Sequence, residues 1–241
     1  MRILLFLSFS LLGLSTITAQ KTISYPSKDG LTITADYYEK TNAKTLVLLF
    51  HQAGWSRGEY KEIAPKLNAM GYSCLAIDLR SGGGINDITN ATNKEAKAKG
   101  KKTAYTDAFQ DIEASVTYAK KTYKPEKIIL WGSSYSSALV LKYGGDYPTA
   151  VDALLSFAPG EYFGAKDFIA TSAKNINVPV FITSAKNEYN NWKDIYEVIP
   201  SAKKAQYRPK TDGNHGSRAL WEKFRDSDGY WKAVSNFLDT V

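Results

Sequence analysis

Ile128-Ile129-Leu130-Trp131-Gly132-Ser133-Ser134-Tyr135-Ser136-Ser137 runs from an unbroken apolar stretch into small polar residues through Gly-x-Ser-x-Ser. Its apolar part shows no polar alternation, the pattern of a strand covered on both faces. Helical spacing follows over Ser136 to Tyr143 and ends at Gly144-Gly145. A strand that turns sharply into a helix needs small side chains on both sides of the turn, and Gly132 and Ser136 meet that demand. The turn is one residue short of Gly-x-Ser-x-Gly. It presents Ser134 at a helix amino terminus, where the Tyr135 N–H and the helix dipole stabilise negative charge, which is the placement of a nucleophile beside an oxyanion.

Outward from this unit the same alternation recurs. Thr22 to Tyr25 and Leu31 to Tyr38 form an opening hairpin through Lys28-Asp29-Gly30. Thr45 to Phe50 and Ser73 to Asp78 are buried strands, separated by a helix over Tyr60 to Met70 with Gly71 as its C-cap. Arg80 to Thr103 is rich in Gly, Asn and Lys and reads as a polar loop outside the core. Helical periodicity returns from Tyr105 through Phe109, Ile112, Val116 and Ala119 and ends before Pro125.

Ala153 to Phe157 and Val178 to Thr183 are strands about 20 residues apart, a gap that holds one helix and no second domain. A helix from Trp192 to Val198, a strand near Ala205 to Tyr207 and an amphipathic segment from Leu220 to Leu238 complete the chain. No internal repeat is present. This order predicts an α/β protein over residues 21–241, with a doubly wound, mostly parallel sheet of about eight strands and no separate cap domain. Chemistry in such sheets collects at the carboxyl ends of the strands.

The residue inventory narrows that chemistry. Two histidines and one cysteine cannot build a Cys/His zinc cage, which needs about three or four ligands, and no cofactor is implied. Cys74 has no partner for an intrachain disulfide and sits in an apolar run, as a buried small hydrophobe does. His215, in Thr211-Asp212-Gly213-Asn214-His215-Gly216, lies in a loop after the last strand and before a helix, where a positioned base belongs. A carboxylate must orient it. Glu188 is the first acid past the strand ending at Thr183, Asp194 the second choice and Asp212 the third.

His51 ends the strand Thr45 to Phe50 and opens His51-Gln52-Ala53-Gly54-Trp55-Ser56-Arg57. Through these residues the chain resembles an α/β-hydrolase of the dienelactone hydrolase-like group over roughly Thr45 to Leu220. The resemblance implies the α/β-hydrolase fold, a triad of Ser134, Glu188 and His215, and an oxyanion hole from the Ala53 and Tyr135 amides, with His51 structural. Dienelactone hydrolases place a cysteine where Ser134 stands and a carboxylate near Gln52, so their own activity is not expected here. What remains is an exported serine esterase that cleaves carboxylic esters through an acyl-enzyme. The rivals are a peptidase or lactonase on the same triad and an inactive binding protein on the same scaffold. Gln52, Trp55 and Trp192 are candidate substrate contacts, and Trp55, Tyr135 and Trp192 could wall a site for an aryl or sugar group. Asp78 and Arg80 read as a structural turn.

A net charge of +7, from 31 basic and 24 acidic residues, comes without any zinc-finger, RNP or P-loop pattern, so nucleic acid is not an expected partner. Lys94, Lys97, Lys99, Lys101 and Lys102 form a basic stretch whose default is a solvated loop. Arg2, the apolar run Ile3 to Leu14 and the small residues up to Ala19 have the layout of a secretory signal over residues 1–20. That run falls short of the roughly 20 apolar residues of a spanning helix. The expected product is an exported, membrane-free enzyme in the periplasm or outside the cell, acting on small-molecule or glycan esters.

Overall fold

Leu46, Leu48 and Phe50 turn to one face of the central sheet and Val47 and Leu49 to the other, and all five are buried. A run without polar alternation requires this double cover. A computed structural model describes residues 20–241; the leader expected over residues 1–20 lies outside the described residues apart from Gln20. Eight strands form one sheet: β1 (Gln20–Pro26), β2 (Thr32–Tyr38), β3 (Thr45–Phe50), β4 (Ser73–Ile77), β5 (Lys127–Ser133), β6 (Ala153–Phe157), β7 (Val180–Thr183) and β8 (Lys204–Tyr207). Their order is β1-β2-β4-β3-β5-β6-β7-β8. Only the β1–β2 and β2–β4 pairs are antiparallel; the others are parallel.

Among the described residues seven α-helices flank the sheet: α1 (Ile63–Ala69), α2 (Ala91–Ala98), α3 (Phe109–Thr122), α4 (Tyr135–Asp146), α5 (Phe168–Ala173), α6 (Lys193–Val198) and α7 (Ser227–Leu238). Apolar residues of α3 to α6 pack on the Leu46/Leu48/Phe50 face, and those of α1 and α7 on the Val47/Leu49 face. The segment between β6 and β7 holds the short α5 and no cap domain. Among the described residues no helix is long and apolar enough to cross a membrane. Burial pushes the Cys74 thiol well above its ordinary range, as in a packed apolar site.

Two elements depart from the sequence reading. Gly144-Gly145 does not stop α4, which continues to Asp146. The glycines serve contact instead: a Cβ on Gly144 would lie 2.3 Å from Leu154 Cδ1, and one on Gly145 1.9 Å from the Ser172 carbonyl. The polar stretch from Arg80 to Thr103 is not a bare loop. It contains a two-residue ladder, Gly84–Ile85 with Ile88–Thr89, and helix α2. Thr92 and Asn93 are buried there by hydrogen bonds, the Thr34 N–H donating to Thr92 Oγ1 at 2.9 Å and Asn93 Nδ2 donating to the Arg80 carbonyl at 2.5 Å. Hydropathy cannot register burial achieved this way.

Strand register sets the functional edge. Phe50 pairs with Gly132, Ser133 with Phe157, Phe157 with Thr183 and Thr183 with Tyr207. The loops leaving β3, β5, β6, β7 and β8 therefore start at one level of the sheet.

Candidate active site

Ser134 occupies the turn from β5 into α4 with φ 58° and ψ −123°. A non-glycine residue there costs about 1–3 kcal/mol and persists only where its surroundings enforce it. The enforcement is visible. A Cβ on Gly132 would sit 2.4 Å from Ser137 Cα, so strand and helix meet at van der Waals distance. Ser136 holds the same junction by its hydroxyl, which accepts from the Ser133 N–H at 2.9 Å and lies 2.8 Å from the Phe50 carbonyl as a donor. The serine in place of the second glycine thus fastens the turn to the end of β3. The Ser134 side chain makes no capping bond to its own helix, and the first N–H groups of α4 have no intrahelical acceptor.

His215 lies in the loop after β8, half-buried, with Nδ1 2.5 Å from Glu188 Oε1. Glu188 sits in a short 3-10 turn, Lys186–Asn191, just past β7, and its other oxygen accepts from the Ala185 N–H at 3.0 Å. The acid and histidine loops are tied together by Lys186 N–H on the Asp212 carbonyl, 2.8 Å, and by the Tyr230 hydroxyl on the Ser184 carbonyl, 3.0 Å. Asp194 is exposed in the first turn of α6, and Asp212 is exposed beside the histidine loop. A cleft of about 700 Å³ runs along this edge, lined among others by Lys186, Glu188, Asp212, His215 and Arg218.

The loop after β3 carries the remaining expected residues. His51 is fully buried; its Nε2 accepts the Leu79 N–H at 2.9 Å and its Nδ1–H donates to the Gln52 carbonyl at 2.8 Å. Burial lowers its proton affinity, so the ring is neutral. The Gln52 N–H is taken by Glu59 Oε2 at 2.8 Å, whereas the Ala53 N–H makes no hydrogen bond among the described residues. The Gln52 side-chain oxygen is buried without a partner.

The aromatic wall is differently built from the one expected. Trp192 is 1% exposed and donates to Ser184 Oγ, and Tyr135 is likewise buried. Trp55 is half-buried and stacked on Trp221 at 5.4 Å. The rings open to solvent at this edge are Tyr105, stacked on Tyr135 at 4.6 Å, and Tyr162, whose hydroxyl donates to the Ala158 carbonyl. Asp78 and Arg80 are structural: Asp78 holds Arg57 at 2.7 Å, and the buried Arg80 holds Asp111 and Asp29. Lys99 and Lys101 of the basic stretch are engaged by Glu95 and Asp29.

Sequence reasoning missed a buried cluster under the site. Glu59, fully buried, accepts from Ser133 Oγ at 2.6 Å, and Ser133 Oγ accepts from the Ser217 N–H at 2.8 Å. In the sequence Gly58-Glu59-Tyr60 has the appearance of a solvated helix start, with no signal of burial.

Residues 41–161, half of the chain, match the family model Hydrolase_4, described as serine aminopeptidase, S33. No curated protein matches the sequence. Solved structures similar to the chain include the Pyrococcus furiosus esterase Pf2001, at 18% identity and TM-score 0.70 over 92% of this chain and 93% of that one. A dienelactone hydrolase from Anabaena variabilis is similar at 15% identity and TM-score 0.72 over 92% and 98% of the two chains. Est1E from Butyrivibrio proteoclasticus is similar at 16% identity and TM-score 0.66 over 90% and 97%. Identities this low carry the fold, which is the α/β-hydrolase fold.

Proposed function

From the premise that the chain belongs to the Hydrolase_4 (serine aminopeptidase, S33) family, we propose that this hydrolase is an exported serine esterase acting through an acyl-enzyme. The observation that carries the reading is the Glu188 carboxylate on His215 Nδ1 at 2.5 Å, on the sheet edge where Ser134 is held at φ 58°. In this mechanism Ser134 Oγ attacks the ester carbonyl carbon while His215 Nε2 takes the hydroxyl proton. Glu188 keeps the imidazole in the tautomer with Nδ1 protonated and stabilises the imidazolium. The Ala53 and Tyr135 N–H groups receive the oxyanion. His215 returns the proton to the departing alcohol, and water, activated by the same imidazole, then releases the acid and frees Ser134.

Ester rather than aminopeptide cleavage is favoured by charge. An aminopeptidase must hold a substrate ammonium, whereas the cleft beside His215 presents Lys186 and Arg218 against one uncommitted carboxylate, Asp212, because Glu188 is engaged by the histidine. The absence of a cap domain favours short acyl groups or esters borne on larger molecules such as glycans. A fluorophosphonate probe should label the wild type and leave Ser134→Ala unlabelled; labelling that persists in the variant overturns the nucleophile. Parallel turnover of nitrophenyl esters, acetylated sugars, lactones and aminoacyl anilides separates the ester reading from lactone and peptide cleavage. Export is proposed on the leader layout of residues 1–20 alone: the mature protein should begin near Gln20, and an intact Met1 in purified native protein would refute it.

A further inference from the structure

We propose that Glu59 is a positioning residue, a buried carboxylate that locks the oxyanion loop, the nucleophile turn and the histidine loop into one register. The inference rests on the serine-hydrolase reading and extends it to a residue with no part in the triad. Its carboxylate bonds two of those loops directly and reaches the third through Ser133. Oε2 accepts the Gln52 N–H at 2.8 Å, one residue before Ala53. Oε1 accepts the Ser133 hydroxyl at 2.6 Å, one residue before Ser134. Ser133 Oγ in turn accepts the Ser217 N–H at 2.8 Å, two residues after His215. The Glu59 carbonyl also accepts Trp221 Nε1 at 2.9 Å, which fixes the chain beyond the histidine loop.

The chemistry of this cluster selects an ionised carboxylate. Ser133 Oγ already accepts from Ser217, so its own proton goes to Glu59, and the second Glu59 oxygen also faces an N–H donor. Both oxygens must therefore accept. A glutamine or a protonated glutamate turns a donor toward Ser133 Oγ or toward the Gln52 N–H; the first leaves the Ser133 hydroxyl proton without its acceptor, and the second sets a donor against a donor. Yet Glu59 has no cation within ion-pair distance among the described residues. The titratable and charged groups that face it are Tyr60 on its own turn, Tyr135 on α4, and His215 and Arg218 on the histidine segment. Burial outweighs the hydrogen bonds and pushes its carboxyl up to about 7. Protonation of Glu59 as the pH falls through neutrality thus loosens the clamp, and activity declines on the acid side for a reason separate from His215.

The test compares wild type, Glu59→Gln, Ser133→Ala and the double variant for kcat and KM on a nitrophenyl acetate series from pH 5 to 9. Fluorophosphonate labelling rates and thermal unfolding are measured alongside. Glu59→Gln should lower kcat by about ten- to a hundred-fold with KM held within about two-fold, as a misplacement of aligned groups does. Its acid limb should lose the ionisation assigned to Glu59. Ser133→Ala, which deletes a single hydroxyl, should lower kcat in the same sense, and the double variant should be no slower than Glu59→Gln because both break one clamp. If Glu59→Gln fails to fold, Ser133→Ala alone must show the kcat loss and the altered acid limb. Equal labelling rates and unchanged pH profiles in the folded variants overturn the proposal while the serine-hydrolase reading stands. A wild type that neither labels nor turns over overturns both.

Discussion

The only two histidines of the chain sit in loops at the same edge of the sheet and have opposite surroundings. His51 is buried with both ring nitrogens engaged by backbone groups, Leu79 N–H on Nε2 and the Gln52 carbonyl on Nδ1. His215 is half-buried with Nδ1 on a carboxylate and no second partner of its ring among the described residues. A ring whose two nitrogens are both satisfied by fixed groups cannot exchange a proton without breaking structure. One held at a single nitrogen can. The difference lies in what the second nitrogen meets, and it bears on the proposed proton transfer more directly than exposure does.

The largest effect that tests this contrast is on turnover. His215→Ala should lower kcat/KM by about a thousand-fold or more through loss of the base, with thermal unfolding close to wild type. A variant with near-normal turnover breaks the comparison at its catalytic end. His51→Leu should do the reverse. It leaves the Leu79 N–H buried without a partner, while the Gln52 carbonyl keeps the Trp55 N–H at 3.3 Å, a loss of about 2 kcal/mol. For a domain of this size that is a fall in Tm of roughly 4–8 °C. Turnover per labelled active site should fall far less than in His215→Ala. Calorimetry with active-site titration reads both quantities, and an unchanged Tm would show that the His51 bonds contribute nothing.

The proposed roles are partly legible in the sequence alone. Unbroken apolar runs such as Leu46 to Phe50 and Ile128 to Trp131 identify doubly covered strands, and the strand ends then point to Ser134, Glu188 and His215. Those features are local, carried by consecutive residues. Features that depend on distant partners were not legible. Glu59 is buried by contacts to Ser133 and Trp221, 74 and 162 residues away in sequence, and nothing in Gly58-Glu59-Tyr60 announces them. Gly144-Gly145 resembles a helix stop because the tight approach of Leu154 and Ser172 is invisible in one dimension. Trp192 fits a ligand wall by position, but its ring is consumed by the core, leaving Tyr105 and Tyr162 as the aromatics open at this edge.

The subtlest test carries the contrast from histidines to carboxylates. Glu188 faces a cationic-capable partner, whereas Glu59 has only neutral donors, and burial pushes its carboxyl from the ordinary 4.5 up to about 7. Between those pH values the folded chain holds a proton that the unfolded chain has released. Linkage then fixes the sign: the contribution of Glu59 to stability is full below about 4.5 and is lost as the pH rises through about 7, on the order of 3 kcal/mol at most. Glu59→Gln does not titrate, so the Tm difference between variant and wild type should move in favour of the variant from pH 5 to pH 8. A difference independent of pH would mean that the Glu59 carboxyl has the same proton affinity folded and unfolded. The predicted slope opposes the catalytic requirement, because the clamp needs the ionised form that burial disfavours. Stability and activity therefore draw on different protonation states of one carboxylate, and the Tm of Glu59→Gln relative to wild type should rise toward alkaline pH in the same samples in which it loses kcat.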